Sequence, residues 1–518
     1  MLKRNKKKQL TIALLSIIFF LIIAISGFIY LQKNISVNNT ATTPTSSPIN
    51  PPVASPTNTS TTIVVNSNIS DGINGKIFIK YNQNKISPNR LDEEYQKLKE
   101  SKNFKAAREN PKFRYPGSPY CEDPETLIYF NNADIKDKES YTIAVAVPLE
   151  GDAKESGLEI LLGVAQAQNE FNKKVKNKQI QQKPIKVIVA SEEEKNLNAT
   201  TDIANSLVNY QNSEILGIIG HYTSDATEAA IKVYDNLKLG DKRVVLVSPT
   251  STKTEIQNNG YFFRTVPNNQ KETDALVDYI LNNEQIHPKE PAVIFNSQSA
   301  FSRSLKDEFV RSFKSKAGKE VNFIYDVDAP QKIDLIKDSQ INSQQKKFSI
   351  VLLAVPVTDI GKTYFLLQNR DAQKFFYLGG DTIYDPKILT EPTGDVAQRF
   401  RNIVIAVPWH YTFSSVQSKS FVKNTSELWC QQIGKEDHIN WRRATAYDAA
   451  NVLIEAISNN PTREGIKQYL SQTFSMEGAT GTIKFNINGD MDEKSKLVRL
   501  HPENYKFELV DQTGELQN

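Results

Sequence analysis

Cysteine and histidine are scarce in this chain, with two of the first and five of the second among 518 residues. Cys121 and Cys430 stand far apart, and neither has a His or Cys at metal-ligand spacing, which excludes a structural zinc site. In an oxidising compartment the two could pair, although nothing in their spacing demands it. His221, His287, His410, His438 and His501 show no metal pattern either. Also missing are a Gly-x-Ser-x-Gly elbow and a phosphate-cradling glycine loop. No metal or cofactor is implied, and the chain does not read as an enzyme. His221 follows a glycine at a strand end without a base or acid beside it in sequence, so it reads as structural. Excess charge is a further absence. The formal net charge is +4, but Lys3, Arg4, Lys6, Lys7 and Lys8 supply five of the 63 basic residues; without them 58 remain against 59 acidic ones. No stretch interleaves arginines with aromatics, which argues against a nucleic-acid surface.

Long apolar runs are also absent, with one exception. Residues 10–31, LTIALLSIIFFLIIAISGFIYL, carry no charge. About 20 such residues span a bilayer as a helix. The cationic flank before the run would stay cytoplasmic, so the chain after Gln32 is expected outside. Ala24-Ile25-Ser26 has the small-residue spacing of a signal-peptidase site. The run is longer than a usual signal core and continues past that point, so residues 1–33 are expected to be an uncleaved transmembrane anchor. No cysteine lies nearby, which excludes a lipid anchor. Residues 34–67 follow as a Ser/Thr/Pro/Asn-rich linker that cannot bury enough surface to fold. Residues 68–138 are expected to form a small, mainly helical segment. GKIFIK within it reads as a strand, residues 90–108 as one or two helices, and DPETLIYFNNA as a helix with Pro124 in its first turn. NFKAA and DPETLIYFNNA together are similar to one tetratricopeptide hairpin. A single such unit cannot bury its own face, so it should pack on the rest of the chain or recruit a partner.

From Tyr141 onward, short apolar runs alternate with helical stretches. IAVAV, IKVIVA, ILGIIG, VVLVSP, PAVIF, FSIVLLA and NIVIAVP are nearly continuous in apolar residues, as parallel strands covered on both faces are. The helices between them show three-to-four spacing, for example Leu158, Leu161, Leu162 and Ala165. The expected fold class is α/β, with two doubly wound Rossmann-like lobes. Two successive strands end in hydroxyl-rich turns, Gly220-His221-Tyr222-Thr223-Ser224 and Ser248-Pro249-Thr250-Ser251-Thr252. Ligands of open α/β sheets bind at the carboxyl ends of strands, beside helix N-termini. Each cluster also suits ordinary N-capping. Two in successive units favour a shared binding cleft.

YTIAVAVPLEGDAKESG, LEILLGVAQAQNEFN, IKVIVASEEE, IIGHYTSDAT, VLVSPTST, YFFRTVPNN, AVIFNSQSAFSRSLKDEF, KFFYLGGDTIYDP, ATAYDAANVLIEAI and GTIKFNINGD occur in one order. In that order the chain resembles the type I periplasmic binding proteins, the leucine/isoleucine/valine-binding family of ABC importers, over about 141–510. The form with DPETLIYFNNA is similar to membrane-anchored cyanobacterial members. The resemblance implies one module over 139–512, its lobes joined by a three-stranded hinge. The first lobe would span about 139–266 and 409–484, the second about 267–408 and 485–512, with crossings near Pro267, Trp409 and Phe485. It carries the family's carboxylate-binding role onto Ser224, within His221-Tyr222-Thr223-Ser224, and onto Thr250 and Thr252. The ammonium would be met by Asp381 after Gly379-Gly380, and an aromatic wall by Phe301. Ser156 stands where relatives place a tyrosine. Two departures follow. The first loop reads Leu149-Glu150-Gly151-Asp152 instead of a Ser/Thr-Gly-Pro turn, and its carboxylates near the cleft mouth disfavour an anionic side chain and would welcome a basic or polyol ligand, or are solvated loop charges. AVPVTDIGK lacks the usual aromatic. The implied protein is a single-pass inner-membrane chain with its bulk in the periplasm. It would close on a small polar ligand resembling an amino acid and deliver it to an ABC permease. The alternative is a ligand sensor coupled to a signalling partner, or a degenerate fold kept for assembly.

Overall fold

The structure is a computed structural model describing residues 68–71, 123–135 and 139–517, apart from 194, 211–212, 284–285, 287–289, 330–348, 362, 364–374, 385–401, 430–435, 473 and 502–505. The apolar run 10–31, GKIFIK, the 90–108 stretch, Cys121 and Cys430 lie outside the described residues. Among the described residues no helix is long and apolar enough to cross a membrane.

The first lobe begins with β1 (Ile69–Ser70), α1 (Pro124–Ile135), β2 (Tyr141–Pro148), α2 (Lys154–Lys176) and β3 (Ile185–Glu192). It continues through α3 (Leu197–Val208), β4 (Ile215–Ile219), α4 (Ser224–Tyr234), β5 (Val245–Ser248) and β6 (Phe262–Arg264). Its six-stranded sheet runs β1-β3-β2-β4-β5-β6. All neighbours are parallel except β1, which pairs antiparallel with β3 through Ile69 opposite Ala190 and Ser70 opposite Val189. The chain leaves β2 for β3 on one side and returns to β4 on the other, so the sheet changes direction at β2. That point is where such sheets hold ligands. The continuous apolar runs are strands covered on both sides, as β4 shows with every residue buried. At the end of β2 the chain turns tightly into α2. A side chain at Gly157 would collide with the Pro148 carbonyl oxygen, so only glycine admits this approach.

The second lobe holds α5 (Asn269–Asn282), β7 (Ala292–Phe295), α6 (Ala300–Ala317), β8 (Phe323–Asp326), β9 (Ile350–Ala354), β10 (Phe376–Gly379) and β11 (Ile403–Val407). After β11 come α7 (Val416–Leu428), α8 (Trp441–Asn459), α9 (Arg463–Gln472), β12 (Ser475–Gly478) and β13 (Gly481–Lys484). The last strands are β14 (Lys496–Leu500) and β15 (Phe507–Val510). The seven-stranded second sheet runs β15-β14-β11-β10-β9-β7-β8, with only the β14 and β15 pairings antiparallel. Its direction changes at β7, between β8 and β9. Alternate residues feed a separate core on each face: Val351, Leu353 and Ile405 on one, Ile350, Leu352 and Val404 on the other.

The two lobes are joined by side chains as well as by chain. Trp409 stays in the second lobe's core, edge-on to Phe421 at 5.6 Å and donating to Ser418 Oγ at 2.8 Å. Helix α8 then packs on α2, fixed by a two-pronged pair in which Arg443 Nε and Nη2 donate to Glu159 at 3.0 and 2.9 Å. Arg264 at the end of β6 bridges to Asp490, beyond β13, through Nε at 2.6 Å. Its other nitrogens hold the carbonyls of Ser251, Lys253 and Thr254. A buried guanidinium with this many acceptors pins the β5–β6 loop to both crossing segments.

Candidate ligand-binding site

The direction changes of the two sheets face each other across a cavity of about 450 Å³. On the first lobe its wall begins at the end of β4. Gly220 takes φ +137°, and a Cβ there would strike the Ala146 carbonyl oxygen, so the turn out of β4 requires glycine. His221 is not alone, as the sequence suggested, but is buried between Glu192 Oε2 at 2.5 Å and the Tyr234 hydroxyl at 3.0 Å. Glu192 also accepts the Tyr222 N–H at 3.0 Å. These bonds set the backbone course of the turn and make His221 structural. Thr223 caps α4 by accepting the Ala226 N–H at 3.1 Å. The capping reading and the cleft reading of this turn therefore both hold, because the cap stands in the cavity wall with Tyr222, Ser224 and Asp225.

Ser224 Oγ accepts from Ser251 Oγ at 3.2 Å and from the Lys253 N–H at 3.3 Å. Thr250 Oγ1 donates to the Tyr222 carbonyl at 2.8 Å. The two hydroxyl-rich turns are thus laced to each other, and the electropositive N-terminus of α4 opens between them.

The opposing wall comes from the second lobe. Asn296, just past β7, has its N–H bound by Ser302 Oγ at 2.7 Å and donates its side-chain amide to Asp359. Thr382 Oγ1 reaches the Val355 carbonyl at 2.8 Å, and Trp441 Nε1 reaches the Asp381 carbonyl at 3.2 Å. Phe301 stands in the first turn of α6 and joins both the cavity wall and the apolar core beneath it. Asp381 is 1% exposed, and its Oδ2 has no partner among the described residues. Burial pushes its carboxyl up to about 7, against a downward pull from the Arg442 guanidinium. Glu272, from the first turn of α5, is fully buried, with no other side chain bonded to its carboxyl oxygens among the described residues and the Asp381 N–H beside it. Burial, then the neighbouring Asp381 charge, raises Glu272 well above the carboxylate range. Two adjoining buried carboxyls cannot both ionise cheaply, so this pair retains a proton at neutral pH.

Of the residues singled out in sequence, Tyr222, Thr223, Ser224, Thr250, Phe301 and Asp381 line the cavity. Thr252 and Ser156 do not. Thr252 is buried, and its carbonyl instead accepts the Asn269 N–H at 2.7 Å, which ties the β5–β6 loop to α5. Ser156 is buried in the first turn of α2, which the Gly157–Pro148 approach holds against the end of β2. Ser224 is buried as well. Glu150 and Asp152 are exposed and do not line the cavity, although Asp152 pairs at 3.4 Å with Lys195, which does. Sequence reasoning passed over Asp225, Asn296, Asp359, Trp441, Arg442 and, beneath the wall, Glu272. Asn440 is the cap of α8, its Oδ1 accepting the Arg442 N–H at 3.0 Å. Reading that cap would have started α8 early enough to include Trp441 and Arg442.

Fold and site together define a two-lobed protein that holds a small molecule between its lobes. The chain belongs to the periplasmic binding protein family, whose model matches residues 140–503. Its members bind solutes and are not enzymes, which agrees with the missing catalytic motifs. No curated protein matches the chain by sequence. Solved structures share the fold at low identity. The leucine-binding protein LivK of Thermotoga maritima is 19% identical, with a TM-score of 0.58 over 72% of this chain and 99% of its own. LivJ of Streptococcus pneumoniae, a branched-chain amino acid binding protein in complex with isoleucine, is 17% identical, with a TM-score of 0.56 over 73% of this chain and 98% of its own. A solute-binding protein of an ABC transporter from R. palustris, in complex with benzoate, is 14% identical, with a TM-score of 0.55 over 73% and 98%.

Proposed function

We propose that this chain is the membrane-tethered, extracytoplasmic solute-binding component of an ABC importer, and that its lobes close about a hinge on a ligand resembling an amino acid. The observation that carries this reading is the cavity itself. One wall offers hydroxyls and a helix N-terminus, suited to a carboxylate, and the other offers the Asp381 carboxyl, suited to an ammonium group. Tyr222, Thr223, Ser224 and Thr250 would hold the carboxylate end, Asp381 the ammonium, and Phe301 the apolar portion between them. The relative bound to isoleucine supports the same ligand class. The uncharged run 10–31 with its cationic flank supports the tether.

Thermal shift and titration calorimetry of the full-length protein in mild detergent, against amino acids, benzoate and a polyol, test this reading. An amino acid at ~100-fold its Kd should raise Tm by roughly 3 °C. Ser224→Ala should weaken that ligand by roughly 1–3 kcal/mol, since a charged carboxylate loses a donor. A response to benzoate or the polyol alone would overturn the amino acid assignment.

A further inference from the structure

Two arginines stand side by side at the start of α8, and the fold treats them differently. Arg443 is buried and meets Glu159 with two charge-assisted hydrogen bonds. Arg442 is 3% exposed, lines the cavity, and has no ion pair among the described residues. Among the described residues its Nη1 makes one long contact, 3.4 Å to Asn440 Oδ1, and its Nε has no partner. Its charge lies over the Trp441 ring, 4.4 Å from the centroid. A guanidinium does not shed its proton in a protein, so a buried one left without an anion is costly. The position adds to the cost. Arg442 is the second residue of a 19-residue helix, where the helix dipole is positive and disfavours a cation. A carboxylate bound at this point would be met by the fork of Arg442 and by the helix terminus together.

The carboxylates sharing the cavity do not fill that role. Asp225 accepts the Ala300 N–H at 3.0 Å, and Asp359 accepts the Asn296 amide. Asp328 is exposed. Asp381 feels the Arg442 charge without forming an ion pair with it. The other cation lining the cavity among the described residues, Lys195, is exposed and pairs with Asp152 at 3.4 Å. We infer that Arg442 is a specificity-determining residue that anchors a second carboxylate of the ligand, which makes the preferred ligand an acidic α-amino acid. This rests on the solute-binding reading above. The α4 end would take one carboxylate, Asp381 the ammonium, and Arg442 the side-chain carboxylate. The exposed Glu150 and Asp152, which seemed to disfavour such a ligand, lie outside the cavity.

The test uses L-glutamate and its neutral isostere L-glutamine in titration calorimetry with the full-length protein, with L-isoleucine as a further probe. Wild type should bind glutamate at least about tenfold more tightly than glutamine, the discrimination a good charged pair supplies. Arg442→Gln should lower glutamate affinity by about that factor and leave glutamine within about twofold. Unliganded Arg442→Met should melt no lower than wild type, because an uncompensated buried charge is removed, whereas Arg443→Met should melt lower by stranding Glu159. Wild-type preference for glutamine, or equal loss of both ligands in Arg442→Gln, would overturn the assignment. So would binding of isoleucine alone, which would leave the solute-binding reading intact. Binding of none of the three would overturn this assignment, and the solute-binding reading would fall with it only if the other amino acids, benzoate and the polyol failed as well.

Discussion

At the scale of single residues, the site combines features that sequence displays with features that only packing creates. Ser224 and Thr250 were legible because small hydroxyl residues after an apolar strand have few other uses than caps and ligand contacts. Asp381 was legible from its place after Gly379-Gly380. Its setting was not, because Glu272 lies more than a hundred residues away and only the fold brings the two carboxyls together. That pairing has a consequence for pH. An ordinary aspartate loses its proton near 3.8, whereas Asp381 in the folded protein does so near 7. Between those values the folded state holds the proton more tightly than the unfolded chain, so stability of the unliganded protein falls as pH rises through the window. Asp448, raised by burial to about 6, acts in the same direction. Tm without ligand should therefore be higher near pH 5 than near pH 8. Asp381→Asn should reduce that slope, with Glu272 and Asp448 supplying the remainder and His410, pushed down to about 3 by burial, opposing it in part. The opposite holds for binding, since an ammonium group needs Asp381 ionised. Amino acid affinity should decline up to about tenfold per pH unit below that value. A Tm that is flat across this range in wild type would show that the pair does not hold its proton.

Elements were read well where burial is two-sided and poorly where it is not. The strands β2, β3, β4, β5, β7, β9 and β11 coincide with continuous apolar runs because helices cover both faces of each sheet. β8 has no such run. It is an edge strand with Ile324 exposed and its remaining residues half-buried. β1 is too short for any periodicity. Helix α1 was anticipated from DPETLIYFNNA, and its Pro124 occupies the first position as expected. What α1 does there was not legible. Asn132 donates to the Val187 carbonyl at 2.8 Å and accepts the Val187 N–H at 3.0 Å, so one side chain continues the ladder along the free edge of β3. Gln168 of α2 donates to the same Asn132 oxygen at 2.8 Å. Asn132→Ala should strip partners from two buried backbone groups and cost roughly 2–4 kcal/mol. Urea unfolding measures this, and a loss below about 1 kcal/mol would mean that water takes over the edge.

For the molecule as a whole, the lobes meet through direct hydrogen bonds as well as through the crossing chain. Asp225 of α4 accepts the Ala300 N–H at the start of α6 from across the cavity, and the Thr254 N–H donates to Ser304 Oγ at 3.0 Å. The first lobe thus caps a helix of the second. Asp225→Ala removes that cap at a cost of roughly 1 kcal/mol, or about fivefold in the ratio of closed to open forms. Solution scattering should show a larger radius of gyration for the variant without ligand, and stopped-flow kinetics a faster ligand release. Identical scattering and release rates would mean that Asp225 does not hold the lobes together. The two lobes are also unequal in a mechanical sense. Among the described residues, 69–70 and α1 pack on the first lobe, as a strand added to β3 and as a helix laid on α2 and β3. Any restraint transmitted through those elements is felt by one jaw only. If the lobes close as proposed, the first lobe would then be the stator of a clamp, and the second, joined to it through α8 and the Arg264–Asp490 crossing, the rotor that swings.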